Sequence, residues 1–187
     1  MQLIGIAGKA GSGKTTVAQW LGKERAAFLA AFAYQIKETL IGTFGALTGL
    51  SWQHFEDREL KEAPLPVIGV SPRRLAQTLG TEFGRNCVHP DVWVMLMEEY
   101  LRTHQVWERP GQMIVLHDLR FENEARWIRN NGGTVVHLSR PSATSVAEHA
   151  SEAGVAIESG DQCISNGGDV AALLRALDTV FPQRAAA

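Results

Sequence analysis

Apolar runs and amphipathic stretches alternate along this chain. Leu3-Ile4-Gly5-Ile6-Ala7 is a continuous apolar run ahead of a glycine-rich stretch, which predicts a buried strand and a turn. Thr16-Val17-Ala18-Gln19-Trp20-Leu21 then starts a helix. Ala26-Ala27-Phe28-Leu29-Ala30 is apolar but too short for periodicity to separate strand from helix. From Tyr34 to Leu47 the positions Ile36, Leu40, Ile41 and Phe44 share one helical face, and the helix ends near Gly49. Residues 50–70 are polar and interrupted by Pro64 and Pro66, so they predict a long loop with room for one short helix. Ser71-Pro72 predicts a helix start, with Ser as N-cap and Pro in the first turn. Pro90-Asp91 opens another helix through Trp93, Leu96, Met97, Tyr100 and Leu101. Met113 to Leu116 predicts a buried strand ending at His117-Asp118, and Glu122 to Asn131 a helix stopped by Gly132-Gly133. Thr134 to Leu138 and Gln162 to Ser165 read as strands, and Val170 to Phe181 as the last helix. Strands alternating with helices predict an α/β fold with a parallel sheet covered on both faces. Ligands then sit at the carboxyl ends of the strands.

The turn after the first strand carries chemistry. Gly8-Lys9-Ala10-Gly11-Ser12-Gly13-Lys14-Thr15 is a complete G-x-x-x-x-G-K-[ST] phosphate-binding loop. Its glycines let backbone N–H groups turn inward around a phosphate with no Cβ in the way. Lys14 brings a cation to the β- and γ-phosphates, and the Thr15 hydroxyl is a ligand for Mg²⁺. The helix that follows points its positive end at the same anion. With every fixed position filled between a strand and a helix, this motif predicts binding of a nucleoside triphosphate rather than an idle glycine turn.

Composition narrows the partner. The 187 residues suggest one domain, with 45% hydrophobic and 20% charged residues. A net charge of -2 argues against a nucleic-acid polymer and favours a small molecule. Cys87 and Cys163 have no spacing that suggests a zinc site or a disulfide framework, as expected of reduced thiols in a cytosolic protein. The first strand starts at the N-terminus and no apolar run reaches membrane-spanning length, so the expectation is a cytoplasmic chain without membrane contact. Residues Arg184 to Ala187 read as a frayed tail.

Asp118 supplies a second piece of chemistry. An apolar strand ending in Asp is a Walker B arrangement, placing a carboxylate near Mg²⁺ at the β/γ-phosphates. A turn-forming Asp is the alternative. In Asp118-Leu119-Arg120-Phe121-Glu122-Asn123-Glu124, Arg120 has the fork for a bidentate phosphate contact, with an ion pair to Glu122 or Glu124 as its other reading.

Several longer strings carry a family resemblance beyond the loop. They are Phe32-Ala33 with Ile36-Lys37, Phe55-Glu56-Asp57-Arg58, and Ser71-Pro72-Arg73-Arg74-Leu75 with Gln77 and Leu79-Gly80-Thr81. Asp91-Val92-Trp93-Val94, Asp118-x-Arg120 with Glu124, and Arg140-Pro141 continue the order. His149-x-Ser151-Glu152-Ala153-Gly154 and Asp161 with Ile164-x-Asn166 complete it over nearly the whole chain. In these strings the sequence resembles the bacteriophage deoxynucleoside monophosphate kinases, within the P-loop nucleoside monophosphate kinase group. It departs from some phage relatives in having Thr rather than Asp at position 15, and in lacking a long insertion between the Arg58 and Arg73 regions.

The resemblance implies a three-layer P-loop kinase fold, a single domain over 1–187 whose parallel sheet has about five strands. It implies an acceptor-binding region at about 34–93 and a short lid at about 140–160. The reaction it implies is transfer of the ATP γ-phosphoryl group to a deoxynucleoside monophosphate, giving ADP and a diphosphate. Gly11, Ser12, Gly13, Lys14, Thr15 and Thr16 would bind ATP, with Thr15 and Asp118 on Mg²⁺. Lys14, Asp118, Arg120 and Arg140 would act in catalysis, Arg140 as the phosphate clamp of the lid. Lys37, Arg58, Arg73 and Arg74, with Thr81 and Glu124, fall to the acceptor. Solvated surface is the other reading for each of these cations. Trp93 either presents its ring to the acceptor base or belongs to the core of its helix. His149 and Glu152 would hydrogen-bond across the lid, with no general-base duty, since a monophosphate is already ionised near neutral pH. A homodimer and, for a phage-encoded chain, the host cytoplasm complete the expectations. Two other function classes stay open: a P-loop kinase of another small phosphorylated or hydroxyl metabolite, and a non-catalytic ATP-binding switch module.

Overall fold

A computed structural model describes residues 2–141 and 154–182. The chain divides into two compact units, one formed by Met1–Ala31 with Tyr100–Ala187 and the other by Phe32–Glu99.

The first unit is built on five parallel strands in the order β2-β3-β1-β4-β5. These are β1 Gln2–Ala7, β2 Phe28–Ala30, β3 Met113–Leu119, β4 Thr134–Ser139 and β5 Gln162–Ser165. The ambiguous segment at 26–30 is therefore a strand. It is only three residues long because it pairs with β3 alone, at the sheet edge. Alternation along β1 sends its side chains to opposite faces. Ile4 and Ile6 pack with Val17 and Leu21 of α1 Lys14–Arg25 and with Leu173 and Leu177 of α8 Val170–Val180. On the other face, Gly5 lies so close to Leu119 and to Ile128 of α7 Glu122–Asn130 that a Cβ would stand 2.8 Å from the Leu119 side chain. Helices thus cover both faces, as the alternating pattern requires.

The strand containing Asp118 runs three residues beyond its apolar run Met113–Leu116, to Leu119. Gly5 pairs with Leu116 and Ala7 with Leu119, so three steps of β3 are matched to two of β1. The irregularity falls at His117-Asp118.

The second unit is helical. It holds α2 Tyr34–Thr48, α3 Gln53–Glu56, α4 Arg58–Glu62 and α5 Pro72–Gln77, then a π-helical stretch, Thr78–Val88. The helix α6 Val92–Thr103 starts in this unit. Gly49 ends α2 with φ 75°, in the left-handed region that glycine tolerates. The stretch 50–70 holds two short helices rather than one. Asp57 caps the second by accepting from the Glu59 and Leu60 amides at 2.8 and 2.9 Å. Ser71 caps α5 as its sequence predicts, accepting from Arg74 N. Ile36, Leu40, Leu50, Phe55, Leu65 and Trp93 form the core.

The π-helical stretch has a physical cause. The Trp93 indole lies so close to Gly84 that a Cβ there would meet it at 2.6 Å, and its Nε1 donates to Gly80 O at 2.7 Å. Two glycines four residues apart let the widened helix seat a buried tryptophan.

Candidate functional site

The turn from β1 into α1 forms an anion cradle. Gly8, Gly11 and Gly13 have φ 149°, 76° and 104°, a run that L side chains resist. At Gly8 a Cβ would also stand 2.5 Å from Leu138 O and 2.7 Å from Ser12 Oγ. Lys14 opens α1 and donates from Nζ to Gly8 O and, at 2.9 Å, to Lys9 O, so its ammonium bridges the loop. Ser12 is 1% exposed, and its Oγ is a buried hydroxyl with no hydrogen-bond partner among the described residues. A buried hydroxyl is costly unless paired, so the loop has a donor placed for an anionic oxygen. Thr15 and Thr16 are exposed at the start of the helix.

A cavity of about 640 Å³ opens beside this loop. Gly8, Lys9 and Lys14 line one part of it, with Arg120, His137 and Arg140 among the other lining residues. Lys14, Arg120 and Arg140 thus meet around one space. Asp118 lies half-buried within β3, two residues before Arg120. Among the described residues no group of three or more His, Cys, Asp or Glu side chains is arranged to hold a metal ion. The Thr15 hydroxyl and the Asp118 carboxylate are oxygen donors, the ligand type that Mg²⁺ takes.

Glu124, expected at the acceptor, lies in the first turn of α7. Its carboxylate is 2% exposed, and Oε2 accepts from Arg120 N at 2.8 Å and Phe121 N at 3.1 Å. It supplies the Glu half of a capping box at the start of α7 and so fixes the backbone that carries Arg120. Oε2 is thus engaged in capping.

The far wall is tied down by a polar network. Arg129 of α7 grips Asp161 through Nε at 3.2 Å and NH2 at 2.7 Å, and it reaches Glu158 at 2.6 Å and Ala156 O at 2.9 Å. His137 Nε2 lies 2.9 Å from Asp161 Oδ2, and Glu158 N donates to the same oxygen. Burial acts to raise the Asp161 carboxyl pKa. The hydrogen bonds from Arg129, Glu158 N and His137 outweigh it and hold the group down at about 2. The Arg129 guanidinium is pushed up in turn, chiefly by its bond to Asp161.

A depressed carboxyl pKa contributes stability above its unfolded value near 3.8, and that contribution is lost as pH falls through about 2. It amounts to about 2 kcal/mol. The urea-unfolding free energies of the parent and of Asp161→Asn should therefore differ most near neutral pH and converge between about pH 4 and pH 2. A difference that stays constant through that range contradicts the network's role. Residues 142–153, with most of the expected lid and with His149 and Glu152, lie outside the described residues, as does the expected frayed tail.

The expected acceptor residues other than Glu124 sit in the second unit. Lys37 Nζ is 3.2 Å from Glu56 Oε1 and 5.5 Å from the Trp52 ring centre. Arg73 pairs with Glu62 through Nε, and Arg74 pairs with Glu82 at 3.0 Å. Arg58 is exposed at the start of α4, and Thr81 is half-buried in the π-helical stretch. The Trp93 ring is 7% exposed and spends its N–H on Gly80, which satisfies the core reading and leaves little face for a base. Tyr34 and Trp52 stack instead at 5.4 Å, 39% and 37% exposed, next to Lys37. Sequence reasoning missed this pair, because their partnership spans a helix and its following turn. It also assigned no role to Asn166, though the Asp161 and Ile164-x-Asn166 string contained it.

Comparison with known proteins agrees with the geometry. The family model for deoxynucleotide monophosphate kinase matches residues 68–177. A protein of Acanthamoeba polyphaga mimivirus that carries the deoxynucleotide monophosphate kinase name is 32% identical over 161 residues, 81% of each chain. The deoxynucleoside-5'-monophosphate kinase of Escherichia phage T5 is 28% identical over 124 residues, and the deoxynucleotide monophosphate kinase of Enterobacteria phage T4 is 35% identical over 101. The matched regions span 46% and 41% of those phage proteins. The crystal structure of TT1252 from Thermus thermophilus aligns over 96% of each chain with a TM-score of 0.50 at 22% identity, a likeness of fold. Among the described residues, no helix is long and apolar enough to cross a membrane.

Proposed function

We infer the reaction from the premise that the chain belongs to the deoxynucleotide monophosphate kinase family. It is a kinase that moves the γ-phosphoryl group of ATP to a deoxynucleoside monophosphate, giving ADP and the diphosphate. The observation that carries this reading is the cradle itself: left-handed glycines, the bridging Lys14 ammonium and the buried Ser12 hydroxyl beside a cavity that Arg120 and Arg140 also line.

Phosphoryl transfer asks little covalent chemistry of a protein. It asks that donor and acceptor be held in line and that charge on the moving group be met by fixed cations. The backbone amides of residues 11–16 hold the donor phosphates, and Lys14 meets their charge. Arg120 and Arg140 bring two guanidinium groups to the same cavity, where each grips phosphate oxygens in pairs. Thr15 and Asp118 would hold Mg²⁺, which would supply positive charge to offset that of the donor phosphates. Lys37, Arg58, Arg73 and Arg74 bind the acceptor monophosphate, with Tyr34–Trp52 as the aromatic face open to its base.

Arg73→Ala should weaken deoxynucleoside monophosphate binding by tenfold to a hundredfold, since a charge-assisted contact is worth roughly 1.5–3 kcal/mol. ATP affinity measured without acceptor should stay nearly unchanged. Arg73→Lys should recover only part of the loss, because a point charge lacks the bidentate fork. Calorimetry with each nucleotide alone decides this, and loss of ATP affinity with intact monophosphate affinity removes Arg73 from the acceptor site.

The reaction is tested with ATP, Mg²⁺ and each of the four deoxynucleoside monophosphates in turn. Release of ADP must depend on the monophosphate. ADP release indifferent to every monophosphate points to another acceptor, and ATP binding without turnover points to a switch module.

A further inference from the structure

We propose that Asn166 is a positioning residue for the phosphate loop, holding the Ser12–Gly13 peptide so that its N–H faces away from Asn166 and toward the bound anion. The proposal rests on the ATP-binding reading of that loop and adds to it a residue from the far end of the chain.

Asn166 follows β5 directly and is 7% exposed. Its backbone N donates to Ser139 O, the last residue of β4, at 2.7 Å. Its side-chain Nδ2 donates to Ser12 O at 3.0 Å, across 154 positions of sequence. The approach is close, because a Cβ on Gly13 would stand 2.6 Å from that Nδ2. One side chain therefore ties the carboxyl ends of β4 and β5 to the middle of the loop.

The consequence follows from peptide geometry. No peptide bond of the described chain is cis. In a trans peptide the carbonyl and the N–H are coplanar and point in opposite directions. Drawing Ser12 O toward Asn166 therefore turns the Gly13 N–H the other way. Gly13 is the N-cap of α1, at φ 104°, a conformation with no Cβ to restrain it. The bond from Asn166 to Ser12 O restrains rotation of this peptide next to a glycine. A donor fixed before the nucleotide arrives loses less on binding than one that must be ordered.

Asn166→Asp is the decisive variant. It keeps the shape, but an ionised carboxylate has no N–H to give and sets negative charge against the Ser12 carbonyl. The KM for ATP should rise about tenfold or more at neutral pH, as loss of a buried pairing implies. The KM for the deoxynucleoside monophosphate should stay within about twofold, because the lost contact lies in the donor loop. Lowering the pH toward about 5 begins to protonate the new carboxyl, which then becomes a donor, so the ATP KM of the variant should recover relative to the parent. Asn166→Leu fills about the same space with neither donor nor charge, so its ATP KM should rise as well and show no such recovery. An ATP KM unchanged at neutral pH, or equal losses for both substrates with no recovery, overturns the proposal.

Should Asn166→Asp fail to fold, Asn166→Ala carries the test by calorimetry. Its ATP affinity should fall about tenfold with monophosphate affinity kept, and an unchanged ATP affinity overturns the proposal. The parent protein is assayed first. If it turns over no deoxynucleoside monophosphate, the reaction assigned above fails, while the calorimetric comparison with ATP still decides the role of Asn166.

Discussion

Lys14→Ala is expected to remove monophosphate-dependent ATP turnover while leaving the fold intact. The Lys14 ammonium donates to Gly8 O and Lys9 O at the mouth of the loop, and the side chain lines the cavity rather than the core. Its removal takes away a point charge with little packing. Loss of one such fixed electrostatic partner costs on the order of a hundredfold to a thousandfold in kcat. The thermal midpoint should move little, since a substitution away from the core usually changes stability by less than about 0.5 kcal/mol. Turnover within about twofold of the parent contradicts the phosphate-loop reading altogether.

Asp118→Asn is expected to lower kcat by orders of magnitude with a much smaller change in acceptor KM. The substitution keeps the size and removes the charge, at a position where the β1–β3 register is irregular and the strand meets the ligand edge of the sheet. A carboxylate that holds Mg²⁺ affects the transition state more than acceptor binding, so kcat and kcat/KM should fall together. Raising the Mg²⁺ concentration should restore part of the rate. A rise in acceptor KM alone moves Asp118 to the acceptor site.

What was legible in the sequence was local. Ser71-Pro72 and Gly49 marked helix ends because capping chemistry is decided within a turn. The phosphate loop was legible because anion binding by backbone fixes residue types at fixed spacing. The parallel sheet followed from apolar runs alternating with helices.

What stayed hidden depends on partners far along the chain. Phe28 to Ala30 become a strand only by pairing with β3, more than 80 residues away. The π-helical stretch exists because Trp93 seats against Gly80 and Gly84, and the same contact buries the ring that the sequence offered to a base. Asp161 carried no signal for its grip on Arg129, 32 positions earlier, nor Asn166 for its bond to Ser12. Glu124 was visible three residues after Phe121, but a capping box is recognised by its Ser or Thr, which Phe121 does not provide.

Direct transfer between two nucleotides is followed with a labelled phosphoryl group. ATP labelled on its γ-phosphorus is incubated with the protein, Mg²⁺ and one deoxynucleoside monophosphate, and the products are separated. Label is expected in the β-phosphate of the deoxynucleoside diphosphate, in amounts equal to the ADP formed and absent with Lys14→Ala. Label found only in inorganic phosphate, at any rate of ATP loss and with every monophosphate, contradicts direct transfer.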